Sequence, residues 1–217
     1  MLWNQRCSRA KTGDETVENK RQLPKITFNS PVVLSFVFIC VAVQIASTLT
    51  GGASTRAFFT SRVGMPFNPL VIFCSVSHIF GHASWEHLIG NMSYILLLGP
   101  LLEEKYGSVR LIWIMLASAL AASIANAVLL HSSVVGASGV VFTFILLSSI
   151  TGLKEGELPL TFVLVAVLYL GQQVYGALFV RDNISYLGHI AGGVVGSIVG
   201  FLLPVKENTT TSGYGLM

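Results

Sequence analysis

The chain has little charge for its length. Its 217 residues include 13 Lys or Arg and 10 Asp or Glu, so that 11% are charged while 53% are hydrophobic. A soluble domain carries about 25% charged residues. A chain with so few charges cannot cover a globule with polar side chains. The composition therefore disfavours an ordinary water-soluble domain and predicts that the solvent is lipid.

Cysteine is scarce as well, and the chain has no paired-cysteine pattern. Cys7, Cys40 and Cys74 lie far apart, so neither a disulfide framework nor a zinc motif is indicated. The net charge of +3 gives no sign of nucleic-acid binding, because the basic residues are concentrated before the first apolar run. Lys and Arg beside a first span mark the cytoplasmic side. We therefore predict a flexible cytoplasmic segment over residues 1–30 and a disordered cytoplasmic tail over 205–217.

Long apolar runs are what the chain has in plenty. Five are of the roughly 20 residues that a helix needs to cross a bilayer, and a sixth is shorter. The five are Val32–Leu49, Trp85–Leu102, Val109–Leu130, Leu158–Leu178 and Ile184–Leu203, and the short one is Ser138–Ile150. Lipid cannot satisfy unpaired backbone groups, so uninterrupted apolar runs predict helices, not the alternating strands of a barrel. We predict an all-α membrane protein with six transmembrane helices in one domain over residues 31–204.

Local signals refine the helix ends. Pro31 is placed to begin the first helix, and Ser84 is placed to cap the second. Residues 50–69 contain Gly and Pro breakers and cannot span. They form either amphipathic pieces at the membrane interface or a packed linker. Glu103–Ser108 is predicted to form a short polar turn, and His78 to be an interfacial residue.

Polar residues that lipid should exclude cluster at one depth. An ionisable residue within a span indicates function by default. The candidates His82, His87, Asn91, Ser138 and His189 all lie near the start of an even-numbered helix. With the N-terminus in the cytoplasm, those starts share the outer half of the bilayer. This common depth predicts one polar site that opens to the outer side.

The short run places Ser138 below the outer surface. Its 13 residues up to Ile150 span roughly 20 Å as a helix, less than the hydrocarbon core of about 30 Å. The residues before Ser138 must then enter the membrane as non-helical backbone. Such backbone is tolerated only where protein buries it or water reaches it. We predict a hydrated cavity with Ser138 at its floor.

His189 lies at a similar depth, on a helix with a glycine face. Gly193, Gly196 and Gly200 follow it at spacings of four, seven and eleven residues, which is one helical face. Small residues let membrane helices approach closely. This contact would bring the imidazole within hydrogen-bond reach of the Ser138 hydroxyl. A histidine that takes its proton makes serine a useful nucleophile.

Donors for a developing negative charge are available at the same place. Ser138 begins a helix, where free backbone N–H groups favour an anion. His87 and Asn91 are four residues apart and so share one face of the second helix. Both are candidates to donate hydrogen bonds to the oxyanion that forms when a carbonyl is attacked.

Four motifs resemble those of rhomboid intramembrane serine proteases. They are HASWEHLIGN (His82–Asn91), LLGPLLEEKYGS (Leu97–Ser108), GASG (Gly136–Gly139) and GHIAGGVVG (Gly188–Gly196). They occur in the family's order, and the resemblance as a whole covers roughly residues 31–203. The resemblance implies a six-transmembrane-helix rhomboid bundle with a short central helix that carries the serine.

The resemblance also implies roles for individual residues. Ser138 would be the nucleophile and His189 the general base of a dyad without an acidic third member. The Ser138 amide, His87 and Asn91 would hold the oxyanion. Phe142, one turn after the serine, would stack on the histidine where the family often has tyrosine. The supporting residues would be His82, Gly136, Gly139, Phe142, Gly192, Gly193 and Gly196. No cofactor, metal or nucleic acid is implied. The partners would be the lipid bilayer and transmembrane protein substrates, and the location would be the plasma membrane.

One departure and several alternatives accompany this interpretation. Many members carry a Trp-Arg pair in the first loop, where this chain has only NPLVIFCSVSH (Asn68–His78). A catalytically inactive rhomboid-like protein that binds membrane clients is the main alternative. A small transporter would need two similar halves with broken helices, which the sequence lacks. A metal site is disfavoured because His82 and His87 are five residues apart and cannot share a helix face.

Overall fold

The computed structural model describes residues 28–66, 68–154, 160, 163–164, 167–169, 171–172, 175 and 186–204. The helices are α1 (Pro31–Leu49), α2 (Ala53–Phe58), α3 (Pro69–Ser77), α4 (Trp85–Tyr106), α5 (Ser108–Ala125), α6 (Ser138–Lys154) and α7 (Tyr186–Leu202). The described residues between 160 and 175, here called the 160–175 segment, are helical too. No strand occurs within these ranges, which confirms the all-α prediction for them. The predictions for residues 1–27 and 205–217 lie outside the described residues.

The helices present an apolar exterior. Within the described ranges, Pro31–Leu49 and Ser108–Leu130 are long and apolar enough to cross a membrane, with mean hydropathies of 2.4 and 2.0. Large apolar side chains point outward from both, as with Phe38 and Trp113, which are 64% and 61% exposed. Apolar surface of this kind suits lipid better than water. The count of six spans remains a prediction.

The predicted helix starts are confirmed for α1 and α4. Helix α1 begins at Pro31, whose fixed φ suits a first helical position. Helix α4 begins at Trp85, and the hydroxyl of Ser84 accepts the N–H of His87 at 3.2 Å. This cap fixes where α4 begins, and therefore the position of His87 and Asn91 in its first two turns.

The polar turn predicted over Glu103–Ser108 is shorter than expected. Helix α4 continues to Tyr106, and Gly107 alone separates it from α5. Gly107 has a φ of +80°, a conformation that glycine adopts without the steric penalty of a Cβ. Glu103 and Glu104, which were predicted to lie in the turn, are therefore helical.

The Glu103 carboxylate explains why this helix end stays ordered. It accepts the backbone N–H groups of Val32 and Val33, each at 3.0 Å, and the hydroxyl of Ser108 at 2.7 Å. The two N–H groups belong to the first turn of α1 and have no intrahelical acceptor. A negative charge is also favourable at a helix N-terminus. Glu103 thus ties α1 to the junction of α4 and α5.

Glu103→Gln is expected to lower the free energy of unfolding by about 1–3 kcal/mol, because an amide oxygen cannot replace both carboxylate acceptors and a buried N–H loses its partner. Glu104→Gln, at the exposed neighbouring position, is the matched control and should change it by less than about 0.5 kcal/mol. Denaturant titration in detergent micelles measures both. Equal losses from the two variants would contradict the capping role.

The segment between α1 and α4 contains two short helices. Helices α2 and α3 have 6 and 9 residues, too few to cross a bilayer. Phe58 and Phe73 are each half exposed, as an interfacial segment requires. Ser61 hydrogen-bonds to the chain near Val134, as a packed linker requires. Features of both interpretations are therefore present.

Candidate active site

The residues that lead to Ser138 are not helical, and hydrogen bonds fix their path. Helix α5 ends in a π-helical turn, Asn126–Leu130, after which the chain stays non-helical until Ser138. The Ser61 N–H donates to the Val134 carbonyl at 2.9 Å, and the Val134 N–H donates to the Ser61 hydroxyl at 2.8 Å. The predicted non-helical approach is confirmed. Its residues Val134, Gly136 and Ala137 are buried by protein, as backbone at membrane depth requires.

Ser138 begins α6 and is almost fully buried. Its Oγ makes no hydrogen bond within the described part of the chain. A buried hydroxyl without a partner costs about 1–3 kcal/mol, so a plain packing role would favour alanine here. The first N–H groups of α6 have no intrahelical acceptor, which makes this end of the helix attractive to an anion.

A cavity of about 310 Å³ lies beside Ser138. Residues of α4, α6, α7 and the 160–175 segment line it. They are Glu86, His87, Gly90, Asn91, Tyr94, Ser138, Tyr169, Gln172, Tyr186 and His189. The four residues predicted to act together, Ser138, His189, His87 and Asn91, therefore share one cavity although they come from three helices.

His87 and Asn91 lie against the backbone that precedes Ser138. A Cβ built on Gly136 would be 2.7 Å from Cε1 of His87 and 3.8 Å from Nδ2 of Asn91. Gly136 also has a φ of +120°, which side-chain-bearing residues rarely adopt. Position 136 thus has no room for a side chain, and its glycine lets the two α4 side chains approach the serine.

His82 contacts His87 directly. Their ring centroids are 5.1 Å apart in an edge-to-face arrangement, because His82 lies in the turn before α4 and not on the helix itself. The spacing of five residues therefore does not keep the two rings apart, because only His87 lies on α4. Burial, together with the neighbouring His87, lowers the pKa of His82 to about 3, so its imidazole is neutral at neutral pH. His82 thus packs against the candidate oxyanion donor His87.

His78 is not the interfacial residue that the sequence suggested. It is fully buried, and its Nε2 lies 3.0 Å from the carbonyl oxygen of Ala119. Its own carbonyl accepts the N–H of Gly136 at 2.9 Å. The prediction was wrong because these contacts come from α5 and the loop before α6, which local polarity does not reveal. His78 instead fixes the approach to Ser138.

Helix α7 brings His189 to the site through residues without large side chains. It packs against both α5 and α6. A Cβ on Gly192 would lie 3.0 Å from Cβ of Ala122 in α5, and a Cβ on Gly193 would overlap the ring of Phe142 in α6. The predicted close approach of the glycine face to the serine-bearing helix is therefore confirmed, and it extends to a second neighbour.

Contacts to the backbone also hold α6 and α7 together. A Cβ on Gly196 would overlap the side chain of Thr143. The Thr143 hydroxyl lies 3.0 Å from the carbonyl oxygen of Gly139 and 3.3 Å from that of Gly192. One hydroxyl therefore links the backbones of α6 and α7 one turn from the cavity.

Gly193→Ala is expected to lower the free energy of unfolding by about 1–3 kcal/mol, because an extra methyl group in a filled site forces side chains or backbone to move. Gly171→Ala is the control, since a Cβ there would meet no described atom within 4 Å; in a helix it should be neutral or stabilising by up to about 1 kcal/mol. Denaturation in detergent compares the two. If Gly193→Ala is as stable as the control, α6 and α7 do not pack closely at Gly193.

Tyr169 lines the cavity as well, although nothing in its local sequence marks it as a site residue. Its ring stacks on Phe142 with centroids 6.2 Å apart, and its edge contact with Tyr94 is 5.3 Å. A tyrosine in an apolar run usually reads as packing. The sequence did not predict three further lining residues either, because only the packing of helices brings them to the cavity. They are Gln172, Tyr186 and Glu86. The expected stacking of Phe142 on His189 remains a prediction.

The cavity combines a hydroxyl, an imidazole and several hydrogen-bond donors at a helix N-terminus. These are the groups that acyl transfer by a serine nucleophile needs. Within the described ranges, no three His, Cys, Asp or Glu side chains are grouped so that they would hold a metal ion.

Comparison with known proteins gives a consistent set of relatives. A family model described as "Rhomboid domain" matches residues 71–206. Rhomboid protease GlpG of Yersinia pestis (strain Pestoides F) and of Yersinia pseudotuberculosis serotype O:3 are each 26% identical over 178 residues, covering 79% of this chain and 62% of theirs. Rhomboid-related protein 2 of Mus musculus is 30% identical over 140 residues, covering 58% of this chain and 46% of its own. The chain thus spans less than two thirds of the length of these relatives.

Proposed function

The chain belongs to the rhomboid family, and from this premise we propose that it is an intramembrane serine endopeptidase. It would cut membrane proteins in or beside their transmembrane segments. The observation that carries the proposal is that Ser138, His189, His87 and Asn91 line one cavity. The relatives named as rhomboid proteases support the same reaction.

The proposed reaction uses the dyad twice. The Ser138 Oγ attacks the scissile carbonyl carbon while His189 takes its proton. The carbonyl oxygen becomes an oxyanion, which the Ser138 amide, His87 and Asn91 stabilise. His189 then protonates the leaving amine, the C–N bond breaks and an acyl-enzyme remains. A water molecule, deprotonated by His189, attacks that ester, and the proton returns to Ser138 as the acid product leaves.

Rhomboid family proteins are integral membrane proteins, and the apolar exterior of α1 and α5 fits this environment. We propose one domain of six transmembrane helices over residues 31–204, with the N-terminus in the cytoplasm. The site would open to the outer side of the plasma membrane. Its partners would be the bilayer and transmembrane protein substrates, and no cofactor takes part.

The test is cleavage by the full chain reconstituted in liposomes. The substrate is a single-span membrane protein with a different fluorescent tag at each end. We expect two tagged fragments, with the cut mapped by mass spectrometry in or beside the span. Prior treatment with a serine-reactive isocoumarin should prevent cleavage, and protein-free liposomes are the control.

The alternative is an inactive rhomboid-like protein that binds membrane clients, which the missing Trp-Arg pair in Asn68–His78 favours. It predicts that the tagged substrate stays intact and copurifies with the chain. An intact substrate in the presence of correctly folded chain would therefore contradict the protease proposal.

A further inference from the structure

Helix α4 presents two neighbouring rows of residues to the cavity described above. His87 and Asn91, the candidate oxyanion donors, form the first row. Glu86, Gly90 and Tyr94 form the second row and line the same cavity. The members of each row are four residues apart, so that each row runs along one face of the helix. A substrate whose carbonyl oxygen is held by the first row must therefore also lie beside the second.

Glu86 gives the second row a negative charge. It lies in the first turn of α4 and is exposed although it lines the cavity. Among the described lining residues it is the one carboxylate, and none of them is Lys or Arg. The carboxylate therefore has no strongly basic side chain to pair with in the described lining. A substrate with a basic side chain near the scissile bond would supply one.

Gly90 leaves space between Glu86 and Tyr94. A Cβ built on Gly90 would meet no described atom within 4 Å. Close packing of a neighbouring helix thus does not require this glycine, unlike Gly193, and glycine within a helix is less favourable than alanine. The open position lets a substrate side chain lie on α4 with the carboxylate on one side and the phenol ring on the other.

Aromatic rings make the surroundings of this space suitable for a cation. Tyr94 contacts Tyr169 edge to face, with centroids 5.3 Å apart, and Tyr186 of α7 lines the same cavity. The face of a tyrosine ring attracts the charged group of Lys or Arg, and apolar ring surface also packs against the long stem of such a side chain. A carboxylate beside phenol rings therefore favours a basic side chain over an acidic one.

We propose that Glu86 is a specificity-determining residue, and that Glu86, Gly90 and Tyr94 form a subsite for a Lys or Arg side chain of the substrate close to the scissile bond. This inference rests on the proposed protease function and names a feature of its substrates. Because the carboxylate is exposed, salt should weaken the attraction. The ion pair forms in the bound substrate and persists in the transition state, so its loss should raise KM and leave kcat unchanged.

The test uses the tagged single-span substrate and the full chain in liposomes. Each residue from three before to three after the mapped cut is replaced in turn by Lys, Gln or Glu. At one of these positions we expect kcat/KM to be about tenfold higher with Lys than with Gln, as for a charged hydrogen bond, and lowest with Glu. Added salt should reduce the preference. Glu86→Gln should abolish it by raising KM for the Lys substrate, and Glu86→Lys should reverse it in favour of Glu.

Two further variants separate the charge from the space. Glu104→Gln is the matched control, because Glu104 is an exposed carboxylate in the last turn of the same helix, and it should keep the full preference for Lys. Gly90→Leu fills the open position with a good helix former at an exposed site. It should keep the charge of Glu86 and still raise KM for the Lys substrate.

Three results would overturn the proposal. One is equal cleavage of the Lys, Gln and Glu substrates at every position. Another is a preference for Lys that persists in Glu86→Gln. The third is an equal loss for all substrates in Glu86→Gln, which would mean that the carboxylate only stabilises the start of α4 through the helix dipole. A chain that cleaves no substrate and does not react with the isocoumarin would refute the protease function itself, so the two failures are distinguishable.

Discussion

Replacing Ser138 by alanine is expected to reduce cleavage of a transmembrane substrate by roughly 10⁴- to 10⁶-fold, as loss of the nucleophile does in other serine proteases. The fold should not suffer. The Ser138 hydroxyl is buried and makes no hydrogen bond within the described ranges, so its removal leaves no partner unsatisfied. We therefore expect equal or slightly higher thermal stability together with lost activity. Fragment yield in liposomes and melting in detergent measure the two effects.

Ser133→Ala is the matched control for this experiment. Ser133 lies on the same approach to α6 but is exposed. We expect its cleavage rate to stay within about twofold of wild type, since exposed substitutions away from a site have small effects. Cleavage by Ser138→Ala at more than about 1% of the wild-type rate would show that another group is the nucleophile, because the oxyanion donors alone supply far less.

Replacing His189 by asparagine should be nearly as damaging. Asparagine keeps a polar side chain in the cavity but cannot accept and return a proton, so we expect a loss of roughly 10⁴- to 10⁶-fold. His131→Asn is the control, because His131 is exposed and has a φ of +49° that asparagine also tolerates. The same substitution is thus compared inside and outside the site. The measurement is the initial rate of fragment release at fixed substrate.

The double variant Ser138→Ala/His189→Asn tests whether the two residues act as one catalytic unit. Residues that act as one unit lose activity non-additively. We therefore expect the double variant to be no slower than the slower single variant. If the loss of cleavage rate in the double variant equals the product of the two single losses, the residues act independently. That result would contradict the proposed transfer of a proton between them.

The sequence predicted what depends on local pattern. Apolar runs indicated the helices, Ser84 indicated the start of α4, and the short run after Ser138 indicated the non-helical approach. The spacing of Gly193 behind His189 indicated which face of α7 meets α6. Each of these follows from helix geometry along one segment, so no knowledge of distant contacts was needed.

Other features depend on contacts between segments far apart in sequence. Glu103 appeared as part of a polar turn, because its role requires the N–H groups of α1, some 70 residues away. His78 was predicted to be interfacial, because the buried partner of its ring, the carbonyl of Ala119, lies 41 residues away. Tyr169 carries no signal within its own run. Local polarity and periodicity do not show which buried side chains from distant segments contact each other.

The most direct measurement is labelling of the intact chain by a fluorophosphonate, with the adduct located by mass spectrometry. We predict one adduct, on Ser138, which forms readily in the wild type and very slowly in His189→Asn. Labelling requires both an accessible hydroxyl and a base that activates it, without any assumption about the substrate. A folded chain with no adduct on Ser138, or with equal labelling rates in the two proteins, would contradict the account.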